Sequence, residues 1–215
     1  MLSRGNRGTE RIGKGGFFMD MTAYAFSTQP GFVEDETREL FRKAVALRTI
    51  VIYCYDPRAV NIPNAVARTI PGEVYPGNIL RDASGRKVAS TTTVFPVVVA
   101  GGRAVDALRS ITVAQHLFGI ENIAVVHHTY CGATSFTPRG LIDAFRTEQG
   151  VDISTLYDAH SIAIRDYQSS LEHDVRLIRK SPGTPRNAKI YGYLFDIDTE
   201  TLTLIAEDLV GSSDL

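Results

Sequence analysis

The stretch I-A-V-V-H-H-T-Y-C-G, from Ile123 to Gly132, joins a predicted buried strand to two residue types that bind metals. Its β-branched apolar run ends in His128, and Cys131 follows three residues later. The chain has one other cysteine, Cys54, which also follows an apolar run, in V-I-Y-C-Y-D-P-R. Thiolates and imidazoles are ligands of Zn²⁺, and three protein ligands leave a fourth position for water or substrate. The pattern therefore predicts a zinc site made by Cys54, His128 and Cys131.

The elements around this stretch predict an α/β fold with a mainly parallel β-sheet flanked by helices and a C-terminal β-hairpin. Apolar runs of strand length are typical of buried parallel strands. They occur at residues 49–53, 93–100 and 123–128. If the first and third run are parallel, Cys54 and His128 emerge at the same carboxyl edge, where open α/β sheets bind ligands. The hairpin is predicted from strands 189–197 and 201–206, around a turn at 198–200.

Helices are predicted where apolar residues recur at helical spacing. The predicted helices are 33–48, 104–118, 140–148 and a long one at 154–180. The long helix would bury the stripe Leu156, Ala163, Tyr167, Leu171, Val175 and Ile178. Residues 59–90 are punctuated by proline and glycine, which favours loops with one short helix near 64–68. Pro96 is tolerated best at a sheet edge or a bulge, and Gly119 is the expected helix stop.

Composition indicates an ordinary soluble globular protein. The 215 residues are 44% hydrophobic and 22% charged, which suits one domain with a sizeable core. The net charge of −1 gives no electrostatic case for a nucleic-acid or anionic membrane partner. No apolar run approaches the ~20 residues that cross a bilayer. Two cysteines are too few for a disulfide scaffold, so we expect a reducing, cytoplasmic setting.

The first 18 residues differ from the rest and are predicted to be a disordered basic extension, with a single domain over residues 19–215. They contain four basic residues and one acidic residue, a net charge of +3, and five glycines. Glycine-rich sequence opposes helix formation. An arginine-rich, acid-poor start also fits a mitochondrial transit peptide, but the amphipathic periodicity of such peptides is absent.

The predicted ligands also have a purely structural interpretation. A free cysteine is commonly a small buried hydrophobic residue, and a histidine beside a turn often only makes hydrogen bonds. Metal binding is favoured because both cysteines fall at predicted strand ends on one edge of the sheet. His127 is the internal comparison: alternation along the strand sends it to the face opposite His128, which predicts a structural role.

Asp56 and Arg58 follow Cys54 closely and have two interpretations. As a surface ion pair they would contribute only ~0–1 kcal/mol. As part of a site, Asp56 would accept a hydrogen bond from a zinc-bound hydroxide while Arg58 holds the carboxylate off the metal. The hydrogen bond to Asp56 matters because two thiolates, a neutral imidazole and Zn²⁺ sum to zero charge. The bound water then lacks the surplus positive charge that would help it lose its proton. Without Arg58, Asp56 could become a fourth ligand and close the site.

The motifs C-Y-D-P-R, Cys54 to Arg58, and H-H-T-Y-C-G, His127 to Gly132, resemble the β-class carbonic anhydrases, whose signature is C-x-D-x-R followed by H-x-x-C. The stretch A-G-G-R-A-V-D-A-L-R-S, Ala100 to Ser110, is similar to the sequence between those motifs in the small, archaeal-like branch. The resemblance runs from about Val33 to Gly132, with a weaker match at the C-terminal hairpin.

The resemblance implies a carbonic anhydrase, a zinc lyase that reversibly hydrates carbon dioxide to bicarbonate by zinc-bound hydroxide. It implies one Zn²⁺ per chain, held by Cys54, His128 and Cys131, with Asp56 and Arg58 as the gating dyad. It also implies a homodimer or homotetramer with active sites at the dimer interface. The N-terminal helix, residues 33–48 here, typically packs on the partner subunit in this family.

The chain also departs from the family pattern. Val99 stands where the family usually has asparagine, and Tyr130 stands where it usually has aspartate. Ala133 and Thr134 follow Gly132, and residues 59–90 are longer than in compact members. Two alternatives therefore stay open: a carbonyl sulfide or carbon disulfide hydrolase on the same zinc site, and a low-activity zinc-stabilised oligomeric protein in which Asp56 closes the metal site.

Overall fold

A computed structural model describes residues 21–209 of the chain. The predicted basic extension, residues 1–18, lies outside the described residues. By its internal contacts the chain divides into two compact units, with the boundary along the sequence between Phe41 and Arg42. In the first unit, two short 3-10 turns precede a helix. The rings of Phe26 and Phe41 pack edge-on, with their centroids 6.4 Å apart. The prediction of one domain over residues 19–215 stays a prediction.

The described residues form six α-helices and seven β-strands. The helices are α1 Glu34–Ala44, α2 Ile62–Thr69, α3 Leu108–Phe118, α4 Pro138–Gln149, α5 Ala159–Ile162 and α6 Tyr167–Lys180. The strands are β1 Thr49–Cys54, β2 Ile79–Arg81, β3 Lys87–Ser90, β4 Val94–Val99, β5 Asn122–His128, β6 Lys189–Asp196 and β7 Thr201–Asp208. None of these helices combines the length and hydrophobicity needed to span a membrane.

The central sheet has the strand order β4-β1-β5-β6-β7. Neighbouring strands from β4 to β6 are parallel, and β6 and β7 form an antiparallel hairpin. This confirms the predicted mainly parallel sheet with a C-terminal hairpin. Because β4 is an edge strand, Pro96 costs the sheet no interior hydrogen bond. Parallel pairing brings the carboxyl ends of β1 and β5, Cys54 and His128, to the same edge.

Both faces of the sheet are covered, as its apolar strands require. Ile50, Ile52 and Val125 alternate onto one face, where they pack in a core with residues of α3 and α6. Val51 and Val126 point to the other face and pack with residues of α2. The two-residue side-chain period of a strand therefore separates the layers, and it also sends neighbours such as His127 and His128 to different sides.

The predicted long helix at 154–180 is wrong in its first half. The chain forms the short helix α5 and then α6, and Leu156, assigned to the buried stripe, is 63% exposed. Aspartates explain the break, since their side chains cap new helix starts in extended backbone. Asp158 accepts from the backbone N–H of His160 at 2.7 Å, and Asp166 accepts from that of Ser169 at 2.7 Å.

Residues 59–90 contain more structure than the predicted loops and short helix. The helix is present as α2, and the strands β2 and β3 form a small antiparallel sheet of their own. Their turn is built on Asp82, which accepts from the backbone N–H groups of Ser84 and Arg86, and on Gly85 with a φ of +78°. Aspartate followed by glycine in a turn is a known signal for this connection. Residues 104–107 also differ, because they form a 3-10 turn before α3 begins.

Candidate metal centre

The structure brings the three predicted metal ligands together. Cys54 is the last residue of β1, His128 is the last of β5, and Cys131 lies three residues further on. One ligand atom from each residue lies within 4.8 Å of the others, and all three residues are buried. The two sulfur atoms are 3.9 Å apart. This geometry fits a single ion held by two thiolates and one imidazole.

The turn after β5 returns the chain so that Cys131 faces Cys54. Thr129 still continues the strand, because its backbone N–H donates to the Phe195 carbonyl at 2.9 Å. Tyr130 then adopts a φ of +55°, a left-handed conformation that few residues other than glycine adopt. The carbonyl of Cys131 is held by the backbone N–H of Thr134 at 3.0 Å and by its hydroxyl at 2.7 Å.

A glycine pair lets the loop after β4 lie directly against the site. A Cβ added at Gly102 would come within 2.6 Å of the Val126 carbonyl oxygen and 3.1 Å of the Tyr53 Cα, so no larger residue fits there without movement. The close approach has a chemical consequence, since the backbone N–H groups of Gly101 and Asp56 donate to the Cys54 sulfur. Such hydrogen bonds stabilise the thiolate, the form that binds metal.

The imidazole of His128 is prepared for metal binding. Its Nδ1 lies 2.9 Å from the Thr129 carbonyl, which can only accept, so Nδ1 carries the proton. The other nitrogen, Nε2, is buried and has no hydrogen-bond partner among the described residues. A buried lone pair without a partner is costly unless something occupies it. A metal ion between this atom and the two sulfurs would satisfy it.

The thiol pair also favours a cation. The Cys131 thiol donates a hydrogen bond that lowers the pKa of Cys54 well below its usual range. The same hydrogen bond, together with burial, raises the pKa of Cys131. The first proton therefore leaves the pair easily, whereas the second leaves two negative sulfurs 3.9 Å apart. A divalent cation removes that repulsion, because metal binding and loss of the ligand protons are coupled.

Asp56 lies beside the cluster, and Arg58 occupies both of its carboxylate oxygens. Arg58 Nε donates to Oδ1 at 3.0 Å and Nη2 donates to Oδ2 at 2.6 Å. The same Nη2 donates to the Tyr130 carbonyl at 3.0 Å. Hydrogen bonds from Arg58 hold the pKa of Asp56 well below its usual range, so the carboxylate stays ionised. Asp56 Oδ2 is 3.9 Å from His128 Nε2, so a bidentate ion pair borders the metal position.

His127 lies on the opposite face of β5, as predicted, in a buried charged cluster. Its Nε2 is 3.3 Å from Asp174 Oδ2. Arg103 forms a bidentate pair with the same carboxylate at 2.9 and 3.0 Å. Arg103 and Asp174 did not emerge from the sequence pattern. The available signal was an acid between Leu171 and Val175, on the buried side of α6.

Comparisons with known proteins return two kinds of relative. No family model matches the chain. β-Carbonic anhydrase 1 of Mycobacterium tuberculosis is 30% identical over 97 residues, which are 45% of this chain and 57% of that protein. A carbon disulfide hydrolase of Acidithiobacillus thiooxidans is 25% identical over 109 residues, 44% of this chain and 54% of that protein. The chain thus spans little more than half the length of these curated relatives.

Solved structures show the same fold. A carbonic anhydrase from Streptococcus mutans has a TM-score of 0.56 and 22% identity, over 80% of this chain and 95% of that one. A carbon disulfide hydrolase in its apo form has a TM-score of 0.53 and 19% identity, over 83% of this chain and 87% of that one. The chain is similar in sequence to β-carbonic anhydrases and has the fold of these solved structures. This likeness leaves the substrate open, because the named relatives include hydrolases of carbon disulfide as well as carbonic anhydrases.

Proposed function

We propose that the protein is a zinc-dependent enzyme that reversibly hydrates carbon dioxide to bicarbonate. The observation that carries this proposal is the arrangement of five side chains. The ligand atoms of Cys54, His128 and Cys131 cluster within 4.8 Å, and beside them Arg58 holds the Asp56 carboxylate by both oxygens. The cluster could hold one metal ion, and the ion pair with Arg58 would keep Asp56 from becoming a fourth ligand.

Cys54, His128 and Cys131 would hold one Zn²⁺ per chain. Two soft sulfurs and one borderline nitrogen are a donor set that suits zinc rather than magnesium or calcium. When bound, the ion supplies a Lewis acid that makes water acidic enough to be a nucleophile near neutral pH. The chain itself supplies the backbone N–H donors to the Cys54 sulfur and the fixed tautomer of His128.

Asp56 would orient the attacking water. Because Arg58 keeps it ionised, the carboxylate accepts a hydrogen bond and does not store the proton. Attack of the water oxygen on the carbon of CO₂ forms the new C–O bond, and the proton released passes to solvent buffer. Bicarbonate and one proton are then the products. Asp56 would thus act by orienting the nucleophile, and correct orientation of reacting groups lowers the barrier.

Arg58 would keep the site open. Its guanidinium has two anchors, the Asp56 carboxylate and the Tyr130 carbonyl, and the second belongs to the ligand loop. A bidentate pair fixes the carboxylate in one orientation, which a lysine could not do. This geometry speaks against the alternative of a closed, low-activity zinc scaffold, in which Asp56 would have to leave Arg58 to reach the metal.

Hydrolysis of carbon disulfide or carbonyl sulfide is the second candidate function. The specific observation in its favour is that named carbon disulfide hydrolases match the chain in sequence and in fold. Carbon dioxide, carbonyl sulfide and carbon disulfide are all small linear molecules with an electrophilic carbon. The same oriented water could attack each of them, so the choice must be measured.

Metal analysis combined with stopped-flow kinetics tests the proposal. We expect about one zinc per chain, and loss of zinc and activity in Cys54→Ser and Cys131→Ser, because each removes one of three ligands. His127→Ala is the matched control and should keep its zinc, since His127 faces Asp174. Stoichiometric zinc in Cys54→Ser would contradict the ligand assignment.

Substrate choice is decided by assaying carbon dioxide, carbonyl sulfide and carbon disulfide side by side from about pH 6.5 to about pH 9. Activity should climb on the alkaline side. Two thiolates would neutralise the metal charge, so the pKa of the bound water should lie above the ~7 of a three-histidine site. Turnover of the sulfur compounds alone would keep the mechanism and replace the substrate. A zinc-loaded protein inert toward all three would favour the scaffold.

We further propose that the protein assembles as a homodimer or homotetramer and works in the cytoplasm. The first part follows from the family resemblance of the N-terminal helix, and the second from the use of both cysteines as free thiols. Neither proposal enters the metal-site argument.

A further inference from the structure

One aliphatic side chain, Ile164, shares a buried cluster with the two cysteines of the metal centre. The buried members of this cluster are Cys54, Cys131 and Ile164, and Ala133 and Tyr167 pack against it. Ile164 is only 1% exposed, and the two cysteines are 4% and 2% exposed. Hydrocarbon from Ile164 therefore covers the cysteine side chains within this cluster.

Ile164 belongs to a segment that is pinned at several points. Its backbone N–H donates to the Ala133 carbonyl at 2.9 Å, which ties it to the loop that carries Cys131. The preceding carbonyl, that of Ala163, accepts from Arg103 Nη1 at 3.0 Å, and the His160 carbonyl accepts from Nη2 at 3.0 Å. The backbone at Ile164 is thus fixed by its own N–H and by the carbonyl of the preceding residue.

Arg103 can act as this pin because its own charge is balanced. The guanidinium is 2% exposed and pairs with Asp174, which is fully buried on α6. Asp174 also accepts from the backbone N–H of Ala104 at 3.2 Å. The segment before α6, the helix itself and the loop after β4 therefore meet on one buried ion pair, behind the residue that covers the sulfurs.

A cleft of about 430 Å³ lies beside the same residue. Ile164, Tyr130, Thr134 and Tyr167 are among the residues that line it. Because Ile164 belongs to the cysteine cluster and also lines the cleft, shortening its side chain would open the cleft toward the cysteines.

We infer that Ile164 is a positioning residue that shields the cysteines of the metal centre from the adjoining cleft. The inference rests on the proposed metal site and deepens it. An apolar cover keeps water and chelating or oxidising solutes from the thiolates, and the hydrophobic shell of a metal site controls such access. It also restricts the approach to small molecules.

The rate of zinc transfer to an excess of a chromophoric chelator tests this inference on the zinc-loaded protein. Ile164→Ala should release zinc faster by about tenfold or more, while Ile164→Val, which keeps most of the cover, should show a smaller increase. Ile178→Ala is the matched control: it removes the same atoms from a fully buried isoleucine of the core between the sheet and α6. Its release rate should stay close to that of the wild type.

Reaction of the metal-free protein with a thiol reagent such as Ellman's reagent provides a second readout that needs no zinc. Ile164→Ala should react faster than both the wild type and Ile178→Ala. If Ile164→Ala does not fold, the same comparison is made with Ile164→Val. Equal rates in Ile164 variants and wild type, or equal acceleration by Ile178→Ala, would overturn the inference. A wild type that binds no zinc would refute the proposed function, and the thiol assay would still decide the role of Ile164.

Discussion

Tyr130 shows how a single backbone conformation connects the ligand loop to the ion pair. Its positive φ of 55° turns the chain back toward Cys131, and its carbonyl accepts from Arg58. Asn and Asp adopt this conformation more readily than tyrosine, so the backbone is strained by an amount of order 1–3 kcal/mol. Strain of this kind persists only where the surroundings impose it. Here Arg58 and the buried Cys131 are those surroundings.

Arg58→Ala should bind zinc and lose activity. Without the guanidinium, the Asp56 carboxylate is free to turn toward the metal position. Its Oδ2 already lies 3.9 Å from Nε2 of the ligand His128. We expect the rate of carbon dioxide hydration, measured by stopped flow, to fall by roughly 10²-fold or more. Arg58→Lys should recover little, because an ammonium group cannot hold both oxygens. Full activity in Arg58→Ala would exclude the gating role.

The connection between α5 and α6 is the element whose position depends most on buried charge. The Arg103–Asp174 pair is almost completely enclosed, with side chains 3% and 1% exposed. Such a pair adds little net stability when whole, but breaking it leaves an unpaired buried charge. It therefore acts mainly by holding the two helices and the loop after β4 in one arrangement.

Asp174→Ala should lower the free energy of unfolding by about 3–5 kcal/mol, because the Arg103 charge is left buried without a partner. Asp143→Ala on α4 is the matched control. Asp143 pairs with Arg146 at 3.4 Å, and both side chains are about half exposed, so its loss should cost less than ~1 kcal/mol. Urea denaturation of the three proteins measures both effects. Similar losses in the two variants would show that burial does not determine how much stability is lost when an ion pair is broken.

Acid should destabilise the protein through the same cluster. Burial lowers the pKa of His127 below its ordinary 6.5, so its contribution is complete above that value and is lost as the pH falls. Burial alone would raise the pKa of Asp174, but hydrogen bonds from His127 and Arg103 lower it below 3.8, so its contribution is lost at more acidic pH. The free energy of unfolding should therefore decline below pH 6.5 and again below 3.8. Asp174→Asn should show a smaller second decline in urea titrations at stepped pH, since Asp56, whose pKa is also lowered, still contributes.

At the scale of the whole molecule, several apolar side chains face solvent in the described chain. In the N-terminal unit, Val33 and Leu40 are 49% and 39% exposed, and on the edge strand β4 Val98 is 50% exposed. Exposed apolar surface often marks a contact with another protein. It agrees with the proposal of a homo-oligomer but does not identify the partner face.

Light scattering on truncated chains tests the assembly. We expect the full chain to be at least a dimer at micromolar concentration. Removal of residues 1–18 should leave the assembly intact, because the predicted basic extension has no apolar periodicity. Removal of residues 1–48 should abolish assembly or solubility, since it deletes α1 and its apolar residues. A stable monomer for the full chain would refute the proposal.

The sequence alone determined the parallel sheet and predicted the candidate ligand set. Apolar runs of strand length end in Cys54 and His128, and parallel pairing leaves their ends at one edge whatever the loops do. It also assigned His127 to the other face, because side chains alternate along any strand. The C-terminal hairpin followed from its turn at residues 198–200. These are local or periodic properties, which a sequence expresses directly.

Only the tertiary structure decided what surrounds the ligands. The pairing of Arg103 with Asp174 and the placement of Ile164 beside the cysteines depend on contacts between residues about 30 to 110 positions apart. No spacing rule links such residues, and each side chain taken alone fits a surface or core role equally well. Their roles arise because a buried guanidinium must find a carboxylate and carbonyls. The ion pair with Asp174 and the hydrogen bonds to the Ala163 and His160 carbonyls hold α6 and the segment before it beside the candidate metal centre.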